Sequence, residues 1–186
     1  MSNAKYDGKY LRCDIAFVRD AGVGGRLYSA EINEEVPNGV IGVMGATKAN
    51  KPEVKEFTLG VKSGEDMYIV MKPEINYDER YKVDGALGNF RNKANKPFPI
   101  IRLQKRDRIV LSKDYILKRG GEIEIGDKVA VVSNNGLLTV VSDGVGARFI
   151  VTEIKDSHVP NHLMYGEEGA FLAPKAYKLI TLEVIA

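Results

Sequence analysis

Apolar residues in this chain gather in short runs, rich in Val, Ile, Phe, Tyr and Thr and broken by glycine. Spacing of three or four sustained over several turns is scarce. Such runs predict strands. They fall at Tyr10–Val18, Val40–Ala46, Val54–Leu59, Met67–Lys72, Ile100–Leu103, Arg108–Leu111, Lys128–Ser133, Leu137–Val141, Arg148–Lys155 and Lys178–Ile185. The last run alternates through its middle, with Ile180, Leu182 and Val184 on one face and Thr181 and Glu183 on the other. Period-two alternation marks a half-buried antiparallel strand.

Turn residues punctuate the same pattern. Asn134-Asn135-Gly136 lies between two apolar runs, and Asn-Gly favours the primed turns that close two-residue hairpins. Lys128–Ser133 and Leu137–Val141 are therefore expected to pair. Ser142-Asp143-Gly144 turns the chain toward Arg148–Lys155, and Gly120-Gly121 and Gly126-Asp127 bracket Glu122–Ile125. One short helix is expected around Ser112–Leu117, with Ser112 as its cap. Asp20–Asn38 carries Gly22, Gly24, Gly25 and Pro37 among few apolar residues, and reads as a long loop or arm. Asn76–Pro99 is a second irregular stretch. The expectation is a mainly β, antiparallel protein. Residues 1–99 form an irregular, loop-rich N-terminal β region with long arms, and residues 100–186 a compact C-terminal β-barrel or meander.

Composition narrows the function classes. With 186 residues the chain is long enough to bury a real core. No apolar run approaches the roughly 20 residues of a membrane helix, and the first residues lack a secretory signal, so a soluble intracellular product with no membrane partner is expected. A net charge of +2 argues against a surface devoted to nucleic acid. Cys13 is the only cysteine, which excludes an internal disulfide and a cysteine-built metal cage; a small buried hydrophobe is its expected role.

The vocabulary of catalysis is thin. Gly22-Val23-Gly24-Gly25 lacks the third glycine of a dinucleotide fingerprint and the lysine-serine pair of a phosphate loop. His158 and His162 stand four apart, but Pro160 between them disfavours the helix that would aim both at one metal. The acidic pairs Glu34-Glu35, Asp78-Glu79 and Glu167-Glu168 read as solvated surface, and no Gly-x-Ser-x-Gly nucleophile turn occurs. No enzyme activity, metal or cofactor is expected. The most distinctive cluster is basic: Arg91, Lys93, Lys96, Arg102, Lys105, Arg106 and Arg108, against the single acid Asp107. Tyr77, Tyr81, Phe90 and Phe98 lie near or within it. Cations with interspersed aromatics suit single-stranded nucleic acid, and arginines equally suit an acidic protein surface. A solvated face beside a strand accounts for the same residues. These seven are the candidate partner-binding residues.

The order of features over roughly the last 85 residues resembles the small β-rich decoration, or cement, proteins that coat tailed-phage capsids. The residues carrying the resemblance are Ile123-Glu124-Ile125-Gly126-Asp127-Lys128-Val129, then Asn134-Asn135-Gly136, then Arg148-Phe149-Ile150-Val151, and the closing Lys178–Ile185. The resemblance implies a structural role on the capsid exterior, with host cytoplasm as the place before assembly. It implies the major capsid lattice as partner and a symmetric homo-oligomer, often a trimer. It carries over no active-site residue. The alternative function is a nucleic-acid-binding β-barrel that uses Arg91 to Arg108.

Overall fold

The computed structural model describes residue 6 and residues 11–14, 25–72, 91–132, 134–158 and 176–186. In chain order its strands are β1 (Cys13–Asp14), β2 (Leu27–Glu31), β3 (Ile41–Lys48), β4 (Lys51–Leu59), β5 (Tyr68–Val70), β6 (Phe98–Arg102), β7 (Arg108–Ser112), β8 (Ile116–Leu117), β9 (Lys128–Val131), β10 (Leu138–Val140), β11 (Phe149–His158) and β12 (Ala176–Val184). The mainly β, antiparallel reading holds. Two parallel pairs, β2 with β4 and β8 with β10, interrupt an otherwise antiparallel set.

Five strands close a barrel in the order β2-β4-β3-β5-β6, and seven form a sheet in the order β1-β7-β12-β11-β9-β10-β8. The closed barrel is thus built from residues 27–102, and the C-terminal strands form the sheet together with β1 at its edge. The expected division after residue 99 falls inside β6, which pairs with both β2 and β5. Barrel and sheet share one hydrophobic core, in which Ile41, Ile69, Phe98 and Ile100 of the barrel join Leu111, Leu138, Phe149 and Leu182 of the sheet. Inside it Phe57 meets Phe98 edge to face at 5.8 Å. The alternation in the last strand lands as expected, with Ile180, Leu182 and Val184 all buried. Cys13 is buried too, in β1.

Three expectations are corrected. The arm Asp20–Asn38 is, from residue 25 onward, part of the body: Leu27–Glu31 is a barrel strand, and Ala30, Ile32 and Val36 are core. The helix at Ser112–Leu117 is a three-residue 3-10 turn, Lys113–Tyr115, followed by β8. Ser112 does not cap it, because its Oγ accepts the Arg12 backbone N–H instead, at 3.0 Å. The Asn135-Gly136 turn is also longer than two residues. Val132 N–H donates to the Leu137 carbonyl and Gly136 N–H to the Val132 carbonyl, so the hairpin closes at Val132 and Leu137. β9 and β10 pair across it as expected.

Two polar devices fix β2. At its end Glu31, whose side chain is 4% exposed, takes Lys48 at 2.6 Å and Lys51 from the β3–β4 hairpin. Hydrogen bonds from these ammonium groups hold the Glu31 carboxyl below its ordinary range. A carboxyl with a lowered folded pKa contributes stability that is present above its unfolded pKa and lost as pH falls through the folded one. The variant Glu31→Gln should therefore be less stable than the parent near neutrality, and should lose less as pH drops below about 5. Urea midpoints from pH 7 down to 3 measure this; parallel curves for parent and variant would remove Glu31 from the acid limb.

At the start of β2 the buried Arg26 pairs with the buried Asp107, in the turn between β6 and β7. Arg26 also donates from Nε and Nη2 to the Arg102 carbonyl, at 3.0 and 2.7 Å.

Candidate functional site

The basic residues that lie close in sequence separate in space. Lys93 and Lys96 precede β6, whereas Lys105 and Arg106 follow it. A five-residue strand puts roughly 17 Å between these groups. Arg102 lies on β6 itself, with its guanidinium 2.7 Å from Asp66; that hydrogen bond raises its already high pKa. Arg108 opens β7 near Glu153, whose carboxyl it helps to hold below its usual range after Lys155. Arg91 lies close enough to Tyr6 for its charge to be felt there. Burial pushes the Tyr6 phenol upward, Glu34 adds to the rise and Arg91 opposes it; the hydroxyl donates to the Asn135 carbonyl at 2.8 Å. Phe98 is core, packed on Phe57, and unavailable for base stacking. Tyr77, Tyr81 and Phe90 lie outside the described residues, as do Gly22, Gly24, His162, Glu167 and Glu168.

What the fold does present of this segment is one tight turn. Asp107 N–H donates to the Gln104 carbonyl at 3.0 Å, and Asp107 Oδ2 accepts the Gln104 N–H at 2.7 Å. Arg106 holds a left-handed backbone, φ +72°, at the third position, where glycine or asparagine is usual. Its N–H reaches the Val184 carbonyl, which ties the turn to β12. Lys105 and Arg106 are exposed at the tip. Beside them runs a shallow polar groove of about 290 Å³, with Asp66, Arg102, Lys105 and Arg148 in its lining. Acids and bases both line it, so the groove has no single sign of charge.

A second feature escaped the sequence reading. The turns Glu124-Ile125-Gly126-Asp127 and Gly144-Val145-Gly146-Ala147 have the same construction. In each, the N–H of the last residue donates to the carbonyl of the first, at 3.2 Å in both. Each has a glycine with positive φ at its third position, Gly126 at +93° and Gly146 at +71°. Each lifts an apolar side chain at the second position, where Ile125 is 68% and Val145 73% exposed. Side chains lock both. Asp127 Oδ2 accepts the Glu124 N–H and the Lys118 ammonium, each at 2.9 Å, and Asp143 Oδ1 accepts the Val145 N–H at 3.1 Å.

The two turns lie at one end of the sheet. The first leads straight into β9 at Lys128, and the second carries the chain from β10 to β11 past the same residue. Lys128 supplies its carbonyl to the Val141 N–H, and its side chain packs where a Cβ on Gly144 would stand. The result is a rim of two exposed apolar tips, each on a hydrogen-bonded turn, at one end of the sheet. The only hint in the sequence is an apolar residue set between turn formers, in Glu-Ile-Gly-Asp and in Asp-Gly-Val-Gly. Among the described residues no group of His, Cys, Asp and Glu is placed to hold a metal ion, and no helix is long and apolar enough to cross a membrane. Comparison of the chain with protein-family models, curated proteins and solved structures finds no match.

Proposed function

We propose that this chain is a structural protein that binds and stabilises the outside of a phage capsid lattice. The observation that carries the reading is the rim formed by Ile125 and Val145. Scattered apolar surface residues are ordinary, but these two are raised on locked turns at one strand end. Preformed apolar tips bury surface in a partner without a large ordering cost. Repeated over many copies on a closed shell, a small contact holds through effective concentration. Binding the assembled lattice then stabilises it by mass action. Ile123–Val129, the first of the four segments that carry the resemblance to decoration proteins, includes one of the two turns.

The nucleic-acid alternative draws less support. Its seven cations fall into separated groups, two of them beside acids, and its one described aromatic is core.

The test is co-sedimentation with shells assembled from a tailed-phage major capsid protein. The parent should pellet with the shells. The double variant Ile125→Asp, Val145→Asp should bind at least about tenfold more weakly while keeping its thermal midpoint, since both side chains are exposed. Failure of the parent to bind shells, combined with tight binding of single-stranded DNA or RNA that falls steeply with salt, would establish the alternative.

A further inference from the structure

Asparagine or aspartate precedes glycine at Asp7, Asn38, Asp84, Asn135 and Asp143. Such pairs share one reaction. The glycine nitrogen, unhindered by a side chain, attacks the side-chain carbonyl carbon and closes a cyclic imide. Asparagine loses ammonia in this step; aspartate loses water, made from the amide proton and the carboxyl OH. Water then reopens the imide at either carbonyl, giving aspartate or isoaspartate. Asp7 and Asp84 lie outside the described residues.

The other three glycines share one backbone region, with φ +81° at Gly39, +64° at Gly136 and +70° at Gly144. What separates them is the nitrogen. Gly39 N–H donates to the Val70 carbonyl at 2.7 Å, and Gly136 N–H to the Val132 carbonyl at 3.2 Å. Asn38 is buried, with Nδ2 on the Lys72 carbonyl at 2.8 Å and Oδ1 accepting the Lys72 N–H at 3.0 Å. Asn135 is tied through Oδ1 to the Leu137 N–H and through its carbonyl to the Tyr6 hydroxyl. Gly144 N–H donates to nothing among the described residues, and Asp143 is exposed. Asp143 Oδ1 accepts the Val145 N–H at 3.1 Å, which folds the carboxyl forward over the peptide that must react.

We propose that Asp143-Gly144 is a modification site, at which the folded protein forms isoaspartate spontaneously while Asn38 and Asn135 stay intact. Side-chain chemistry alone ranks these positions the other way, because an amide cyclises more readily than an ionised carboxylate. The fold reverses the order. A nitrogen whose N–H is held by a carbonyl attacks only after a local opening, and Gly144 needs none. The product matters for the rim. Isoaspartate routes the main chain through the former side chain and adds one carbon to it, so the carboxyl oxygen that holds the Val145 N–H leaves its place. That consequence for binding rests on the rim as the contact surface. The modification does not, and its test uses the chain alone.

Folded protein is aged in neutral buffer at physiological temperature and followed by peptide mass mapping, with isoaspartate read by enzymatic methylation. Isoaspartate should accumulate in the peptide that carries Asp143, while the Asn38 and Asn135 peptides keep their amides. Asp143→Asn makes the comparison direct, since three Asn-Gly pairs then differ in their surroundings. Its side chain is exposed and retains an acceptor for the Val145 N–H, so the variant should fold. In the folded variant position 143 should deamidate at least about tenfold faster than Asn38 or Asn135, and in urea the three rates should converge. Deamidation of Asn38 or Asn135 as fast as position 143 in the folded variant would overturn the proposal. So would a folded parent whose Asp143 peptide stays free of isoaspartate over a time in which the urea-unfolded chain accumulates it.

Discussion

Asp107→Ala should lower the stability of the folded chain by about 3–5 kcal/mol, the range for removing one member of a buried ion pair. The Arg26 and Asp107 side chains are 6% and 3% exposed, so the guanidinium left behind has little water to turn to. The same carboxylate oxygen accepts the Gln104 N–H, so the tight turn between β6 and β7 loses its internal lock as well. That turn matters beyond itself, because Asp107 and Arg106 exchange backbone hydrogen bonds with Val184 at the end of β12. Barrel strand, turn and closing sheet strand thus meet at one carboxylate. At a urea slope of about 2 kcal/mol/M the midpoint should fall by roughly 1.5–2.5 M. Removing both charges with Arg26→Met and Asp107→Leu should restore much of the loss, because two matched apolar groups need no desolvated ion. A single variant that unfolds at the parental midpoint would mean the pair is solvated in solution and does not join the two sheets.

The same pair explains why part of the barrel was illegible from sequence. Most strands announce themselves through side chains that sort by hydrophobicity, as Ile180, Leu182 and Val184 do. β2 does not. It begins beside a buried arginine and ends on a buried glutamate, and both are tolerated only because of partners far along the chain: Asp107 for Arg26, Lys48 and Lys51 for Glu31. A local reading sees charges and glycines and returns an arm. Ser112 fails for a related reason. Its hydroxyl suits a helix cap, but a backbone N–H from Arg12, a hundred positions earlier, claims it.

The candidate site divides the same way. The basic stretch is contiguous in sequence, and a strand through its middle sends its ends about 17 Å apart. The rim shows the converse. Ile125 and Val145 are twenty positions apart on two separate connections, and only the position of β9 in the sheet brings their turns to one end. Sequence marks each as an apolar residue among turn formers, which is common, and cannot mark that the two coincide.

Gly136→Val should be the other large effect, on the order of 3 kcal/mol, and it tests the joint from the sheet side. Two costs combine there. Gly136 has φ +64°, a backbone region in which a β-branched residue is strained by about 1–2 kcal/mol. A Cβ at this position would also stand 2.6 Å from the Ile41 carbonyl oxygen and 3.0 Å from the Ile41 nitrogen. Those are backbone atoms of the barrel and cannot swing aside, so the β9–β10 loop must back away from β3. Doing so lengthens the 2.9 Å hydrogen bond from Ile41 N–H to the Gly136 carbonyl, and overpacking of this kind costs about 1–3 kcal/mol. Gly121→Val separates the two costs. Gly121 has φ +75° but nothing within 4 Å of its would-be Cβ, so that variant should carry the backbone strain alone. Chemical denaturation of the three proteins should rank the parent first, Gly121→Val about 1–2 kcal/mol below it, and Gly136→Val clearly last. If the two variants lost the same amount, the Gly136 loop would not be pressed against β3, and the contact that joins sheet to barrel would have to lie elsewhere, at Tyr115 and the carbonyl of Asn38 or at Arg26 and Asp107.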